Sequence, residues 1–343
     1  MKPLYPSDNP LFLPDVELVD TYKRHLNYLR ISVTDRCNLK CLYCIPQGRI
    51  KNLPHAEVLR YEEILRIVRI GVHLGISKVR ITGGEPLVRR GIYDFLEKLN
   101  TIKELKDVSL TTNGVLLKNN LEKIRAAGIK RLNISLDTLD PDKFKRITRH
   151  DHFFHVWDGI MKAHEMGFDP IKLNAVILRG INDDEILDLA RLSLTYPFHV
   201  RFIEYMPIGD AGIIDGQTIL TPEIKNRLHQ LGELTIVQNK VTDGPAKRFR
   251  FKNAPGEIGF ISAMSHHFCH TCNRLRLTAS GELRPCLLAD TQFDLKGPLR
   301  QGCLDRDLAE IFFKTARFKQ WEHHLAGSHP LKKVVGRMSA IGG

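Results

Sequence analysis

Six short strand-like runs alternate with helical patterns between residues 29 and 206, and most of these strands carry polar residues on every second position. The runs are 29–34, 78–82, 107–112, 131–137, 171–177 and 200–206. Between them, 61–74, 92–99, 121–127, 156–166 and 183–194 place apolar residues at helical spacing, as with Ile64, Leu65, Ile67, Val68 and Val72. Strands alternating with helices predict a parallel sheet with helices outside. Right-handed crossovers curl it toward an incomplete six-stranded TIM-like α/β barrel.

A parallel barrel with both faces buried should read as continuous apolar runs. Here Arg30, Ser32 and Thr34 alternate with Leu29, Ile31 and Val33, and Asn133, Ser135 and Asp137 with Leu132, Ile134 and Leu136. Arg80 and Thr82, Ser109 and Thr111, and Lys172 and Asn174 continue the pattern. With helices on the apolar face, the polar face lines the lumen. Unpaired charge is very costly to bury dry, so the lumen is predicted to be open and to take a polar, anionic ligand. A one-sided sheet with its polar face in water is the alternative.

The rhythm stops after Met206. Residues 207–343 contain short strands (234–237, 248–252, 258–261 and 275–278) and one amphipathic helix near 308–321. The expected division is an N-terminal extension (1–26), the partial barrel (27–206) and a smaller C-terminal α+β region (207–343) that closes the barrel's open side, with a boundary at Pro207–Gly216. The start, MKPLYPSDNP, lacks the apolar core of a signal peptide, and no apolar run is long enough to cross a membrane, so a cytoplasmic setting without membrane attachment is expected. The net charge of +12 is spread along the chain rather than gathered in a tail, which is first of all a basic surface.

Seven cysteines fall into two triplets and an isolated Cys303, which is read as a packing residue. Without a secretory signal, clustered cysteines mean metal or redox work. Cys37-x3-Cys41-x2-Cys44 follows the first strand; three close thiolates can hold three corners of a cubane iron–sulfur cluster and leave one iron open. A zinc site with a distant fourth ligand is the alternative. Cys269-x2-Cys272-x13-Cys286, with His266, His267 and His270 nearby, fits zinc about as well as a second cluster until Arg274 and Arg276 are considered. They alternate on a short strand and face one space, where arginines suit phosphate. His152, His155 and His164 have no ligand spacing.

The spacing of the first triplet, with Tyr43 before the last cysteine, resembles the radical S-adenosylmethionine superfamily. Thr34-Asp35-Arg36-Cys37 through Cys44, Thr82-Gly83-Gly84-Glu85-Pro86, Thr111-Thr112-Asn113-Gly114, Asn133 to Asp137, Phe268 to Arg276 and the terminal Gly342-Gly343 together resemble the GTP 3′,8-cyclases of molybdenum-cofactor biosynthesis. The resemblance runs from about Leu29 to the last residue. It implies a lyase with two [4Fe-4S] clusters, one on Cys37, Cys41 and Cys44 and one on Cys269, Cys272 and Cys286. It implies S-adenosylmethionine contacts from Tyr43, Gly84, Ser135 and Met206, and GTP contacts from Arg30, Arg80, Thr111, Lys172, Arg274, Leu275 and Arg276. Arg30, Arg274, Arg276 and the Gly342-Gly343 tail would support turnover. It further implies a protein or small-molecule electron donor, a downstream cyclic pyranopterin monophosphate synthase and a possible homodimer. A radical enzyme acting on a peptide is the second reading. A non-catalytic metal module binding RNA is the third, and it lacks stacking aromatics among basic residues on a sheet.

Overall fold

The computed structural model describes residues 17–45, 52–209, 217–238, 244–323, 334 and 338–342. Strands β1 (Tyr28–Ser32), β2 (Lys78–Thr82), β3 (Asp107–Thr112), β4 (Leu132–Ser135), β5 (Ile171–Ile177) and β6 (His199–Glu204) pair in sequence order, all parallel. Helices α1 (Tyr61–His73), α2 (Ile92–Asn100), α3 (Leu121–Ala126), α4 (Pro141–Thr148), α5 (Phe153–Glu165) and α6 (Ile186–Thr195) lie between them. The partial α/β barrel expected from the sequence is present.

Local signals explain these elements. In α1, Ile64, Leu65, Ile67, Val68 and Ile70 make one buried stripe, and the Glu63 carboxylate accepts the Arg60 N–H at 2.7 Å to cap the first turn. Helix α4 was not anticipated: it is short, with few buried apolar residues, and its start is encoded by Asp140, which accepts the Asp142 and Lys143 N–H groups, and by Pro141 in the first turn. Strand β4 is shorter than expected: the Leu136 N–H still reaches the Asn174 carbonyl at 2.9 Å, and beyond it a side chain replaces main-chain pairing, the Asp137 carboxylate taking the Val176 N–H at 2.8 Å.

The C-terminal region does not form a sheet of its own. Strands β7 (Leu234–Val237), β8 (Lys247–Phe251) and β9 (Glu257–Ile261) continue the sheet beyond β6, with β9 parallel to it. Strands β10 (Arg274–Leu277), β11 (Glu282–Arg284) and β12 (Phe293–Asp294) continue it beyond β1, with β10 parallel to β1. One twelve-stranded sheet results, with eight adjacent parallel strands from β10 through β9. Residues 262–273 run from the β9 edge to the β10 edge, so this segment crosses the barrel's open side. Helices α7 (Thr221–Leu228), α8 (Lys296–Arg300), α9 (Asp305–Arg317) and α10 (Met338–Ile341) complete the described chain. No helix among the described residues is long and apolar enough to cross a membrane.

The apolar strand positions, among them Leu29, Ile31, Val79, Ile81, Leu132, Leu173 and Leu275, join the helix stripes in one core. The polar positions Arg30, Ser32, Arg80, Thr82, Ser109, Asn133 and Lys172 are buried on the other face. Ten residues of the expected extension, 17–26, include Leu18 and Leu26 in that same core, tied by the Leu18 N–H to the Leu74 carbonyl. Residues 1–16, and 210–216 of the expected boundary, lie outside the described residues.

The turn into β9 fixes where the crossing segment begins. Its Gly256 lies against the main chain of α6 and β6; an added Cβ would sit 2.6 Å from the Tyr196 carbonyl oxygen and closer to that of Phe198. Those oxygens belong to backbone and cannot swing aside. Gly256→Ala is therefore expected to lower stability by about 1–3 kcal/mol in urea unfolding; an unchanged midpoint would mean that this docking is loose.

Candidate active site

The first triplet lies beyond the C-terminal end of β1, and Cys272 lies just before the N-terminal end of β10, whose Arg274 pairs in register with Tyr28 at the start of β1. The triplets thus flank opposite ends of β1, a strand of five residues and about 16 Å at ~3.3 Å per residue. Between them is a cavity of about 220 Å³, lined by residues that include Arg30, Tyr43, Arg80, Thr111, Ser135, Met206, Cys269, Cys272, Arg274, Arg276 and Cys286.

At the first end, the loop is held by the Gly-Gly turn. The Gly84 N–H donates to the Thr34 carbonyl at 2.6 Å and the Glu85 N–H to that of Arg36 at 2.8 Å. A Cβ on Gly84 would come within 2.9 Å of the Asp35 oxygen and closer still to that of Arg36, so only glycine lets the turn approach the cysteine loop. The buried Glu85 accepts the Leu87 and Asn113 N–H groups and the Thr112 hydroxyl; burial still pushes its carboxyl up to about 7. The Tyr43 hydroxyl donates to Asp137 at 2.6 Å, and burial raises the Asp137 carboxyl to about 6 despite that bond.

Along the lumen, register sets Arg276 of β10, Arg30 of β1, Arg80 of β2 and Ser109 of β3 side by side. Burial lowers the Arg30 guanidinium to about 9, aided by repulsion from Arg80 and Arg274 and countered by Tyr28. Burial likewise pulls Arg276 well below its ordinary value, with Arg30 and Arg274 adding repulsion. The Thr111 hydroxyl faces the cavity, buried and, among the described residues, without a hydrogen-bond partner. Lys172 lies deeper on the same face of β5 as Asn174 and Val176, which line the cavity. The Leu275 side chain points the other way, into the apolar core, leaving only its main chain on the lumen side of β10.

At the second end, the crossing segment delivers Cys269 and Cys272, and β11 leads to Cys286. Burial would raise the Cys272 thiol, but Lys319 and Arg274 outweigh it and bring it down to about 6. By contrast, burial raises Cys37 to about 11 and Cys44 to about 12. All six cysteines are free. Within each triplet the thiols are electrostatic neighbours, yet among the described residues no group of three His, Cys, Asp or Glu converges enough to hold one metal ion. Three cysteine thiols at each end are the donor set that a cubane iron–sulfur cluster takes.

The chain's C-terminus enters the same space. Helix α10 brings the Ser339 main chain to Cys44, and Gly342, at φ +81°, sits against Ser32 and Thr82 with its carbonyl accepting from Arg276. Gly343 lies outside the described residues.

Residues 31–193 match the radical SAM superfamily and residues 198–325 match Molybdenum Cofactor Synthesis C. A GTP 3′,8-cyclase of Desulforamulus reducens is 50% identical over 328 residues, covering 95% of this chain and all of that protein. The chain belongs to the GTP 3′,8-cyclase family. A second member, from Pelotomaculum thermopropionicum, is 46% identical over 94% of this chain and 99% of its own length. The fold also matches Streptococcus suis SuiB at a TM-score of 0.60 and 16% identity, covering 85% of this chain and 67% of that one. As a member of the radical SAM superfamily, the chain uses S-adenosylmethionine and a [4Fe-4S] cluster.

Several residues of this family member's cavity were not singled out as site residues from sequence. Asp137 and Asn174 were visible only as polar alternation. Arg201 alternates with Ile203 on β6, a signal that could have found it; both line the cavity. His323, Leu288 and Met338 arrive from loops and α10 and carry no periodic signal; His267, noted in the sequence only as a neighbour of the second triplet, lines the cavity with them.

The raised Asp137 carboxyl gives a pH test. Between its ordinary value near 3.8 and its folded value of about 6, the folded chain holds a proton that the unfolded chain has lost. This contribution to stability is complete below that window and disappears as pH rises through about 6. Urea midpoints of iron-free protein from pH 4 to 7 should fall less steeply in Asp137→Asn; an unchanged slope would place the raised group elsewhere.

Proposed function

We infer that this chain is a GTP 3′,8-cyclase of molybdenum-cofactor biosynthesis, converting GTP to 3′,8-cyclo-7,8-dihydroguanosine triphosphate. The observation that carries the substrate is the row Arg276, Arg30 and Arg80 in a lumen whose Thr111 hydroxyl lacks a partner. Buried guanidiniums that repel one another favour a polyanion, and a triphosphate supplies acceptors for bidentate arginine contacts. Family membership and the polar strand faces support the same reading independently.

Cys37, Cys41 and Cys44 would hold the radical-generating cluster, and Tyr43, Gly84, Ser135 and Met206 would surround S-adenosylmethionine. When bound, that pair would supply a 5′-deoxyadenosyl radical able to take the hydrogen from C3′ of GTP; C3′ would then bond to C8, with an electron and a proton completing the product. The chain's own work is placement. Arg30, Arg80, Lys172, Arg274 and Arg276 would hold the triphosphate and ribose, Thr111 would donate or accept at its free hydroxyl, and the Leu275 main chain would line the base end. The Asp137–Tyr43 hydrogen bond would keep the cysteine loop in register with β4 and β5. Cys269, Cys272 and Cys286 would hold a second [4Fe-4S] cluster with one open iron for guanine. The Arg276 bond to Gly342 supports a role for the Gly342-Gly343 tail in turnover, because a substrate-side arginine and the tail already touch. Residues 27–206 would act as the radical SAM partial barrel and 207–343 as the region carrying the second cluster and the Gly-Gly tail, with substrate contacts drawn from both. A reductant protein or small molecule would supply the electron, and a cyclic pyranopterin monophosphate synthase would take the product.

Anaerobic, reduced and reconstituted protein given S-adenosylmethionine and GTP should yield 5′-deoxyadenosine and the cyclised nucleotide. Cys41→Ser should abolish both. Arg276→Ala should cut kcat/KM for GTP roughly 10–100-fold, the value of about 1.5–3 kcal/mol for a charge-assisted hydrogen bond, while cofactor cleavage remains possible. Normal GTP turnover by both Arg274→Ala and Arg276→Ala would overturn the substrate assignment.

A further inference from the structure

Two cations that belong to neither the lumen row nor the cysteine motifs converge on the second triplet from distant parts of the chain. Lys319 follows α9 and is buried. Its ammonium donates to the Pro285 carbonyl at 2.7 Å, to the Arg274 carbonyl at 2.9 Å and to Cys272 Sγ at 3.6 Å. An ammonium has three donors, and these are three acceptors. The two carbonyls are not arbitrary: Arg274 lies two residues after Cys272, and Pro285 directly precedes Cys286. One side chain therefore ties together both arms of a triplet whose members are 14 residues apart in sequence. Among the described residues, no carboxylate forms an ion pair with Lys319, so the negative charge that best offsets its burial is that of the thiolates it faces.

The remaining cysteine is tied from the N-terminal extension. Arg24 is buried, paired to the Asp20 carboxylate at 2.5 Å, and donates to the Cys269 carbonyl at 2.5 Å and the Gln320 carbonyl at 2.7 Å. Asp20 is itself fixed by accepting the Tyr22 and Arg24 N–H groups, each at 2.9 Å. Arg24 thus joins Cys269 to the residue next to Lys319, and the two cations brace one site. We propose that Lys319 and Arg24 are positioning residues of the second triplet: Lys319 fixes Cys272 and Cys286 and sets the charge beside their sulfurs, and Arg24 locks Cys269 to the Lys319 segment. This rests on the reading that Cys269, Cys272 and Cys286 hold a cluster. A cation hydrogen-bonded to a cluster thiolate favours the reduced, more negative state and so raises the reduction potential.

The test uses the full chain with Cys37, Cys41 and Cys44 replaced by Ser, so that all bound iron belongs to the second triplet. Iron content, rate of iron loss to EDTA and midpoint potential are measured after anaerobic reconstitution. Lys319→Met should lose iron at least tenfold faster and shift the potential downward. Lys319→Gln, which keeps two N–H donors but carries no charge, should lose iron more slowly than Lys319→Met and show the same downward shift. Arg24→Met should speed iron loss with the potential little changed. If Lys319→Met does not fold, the Gln and Arg24 variants decide. A parent that loads about four irons, with variants that match it in both readouts, overturns the brace but leaves the cluster standing. A parent that takes up no iron overturns the cluster reading and the brace with it.

Discussion

Mutual repulsion among guanidiniums packed on one face of a parallel sheet is the constraint on which the rest of this molecule depends. Parallel register leaves Arg276, Arg30 and Arg80 no choice of neighbour: adjacent strands about 4.8 Å apart hold them at one height. Helices cover the other face, so the arginines cannot turn to solvent there. Burial first, and that repulsion after it, lower the Arg30 and Arg276 guanidiniums. Tyr28 offers partial relief: burial pushes its phenol up, yet Arg80, Arg30, Lys78 and Arg274 bring it below its ordinary value. A bound polyanion would remove much more of that repulsion, which is why the proposed triphosphate contacts fall on this row.

The same lumen is given two chemically different ends by chain direction. Strand β1 exits toward the first cysteine loop, which rests on the Gly84 turn and on the Tyr43–Asp137 hydrogen bond. The segment crossing the open side descends to β10 and sets the second triplet at the opposite end. The C-terminus then returns between them, where the Gly342 carbonyl meets Arg276 and the Ser339 main chain meets Cys44. The first cysteine loop and the lumen arginines are thus joined through α10 by hydrogen bonds.

Much of this was legible in the sequence because it depends on local period and spacing. The six central strands needed only alternation such as Arg30, Ser32 and Thr34 against Leu29, Ile31 and Val33. The cysteine triplets needed only their spacing, and Arg274 and Arg276 only their separation by one residue. What stayed hidden depends on long-range pairing. Nothing local says that Arg274 will stand beside Tyr28, or that β9 and β10 will extend both edges of the barrel instead of forming a separate cap. Arg24 and Lys319 read as ordinary surface charges, since their acceptors are main-chain carbonyls hundreds of residues or dozens of residues away and leave no mark in composition. Asp137 was visible as a polar position but not as the partner of Tyr43, a contact created only when β4 and the cysteine loop meet.

The central claim is that the lumen presents the ribose of GTP to a radical formed at the Cys37–Cys44 end. GTP carrying deuterium only at C3′, turned over once with S-adenosylmethionine, tests it directly by mass spectrometry of the released 5′-deoxyadenosine. One deuterium transferred into that nucleoside is the predicted result. Unlabelled 5′-deoxyadenosine beside a cyclised product, or label transferred only from another ribose carbon, would contradict the account.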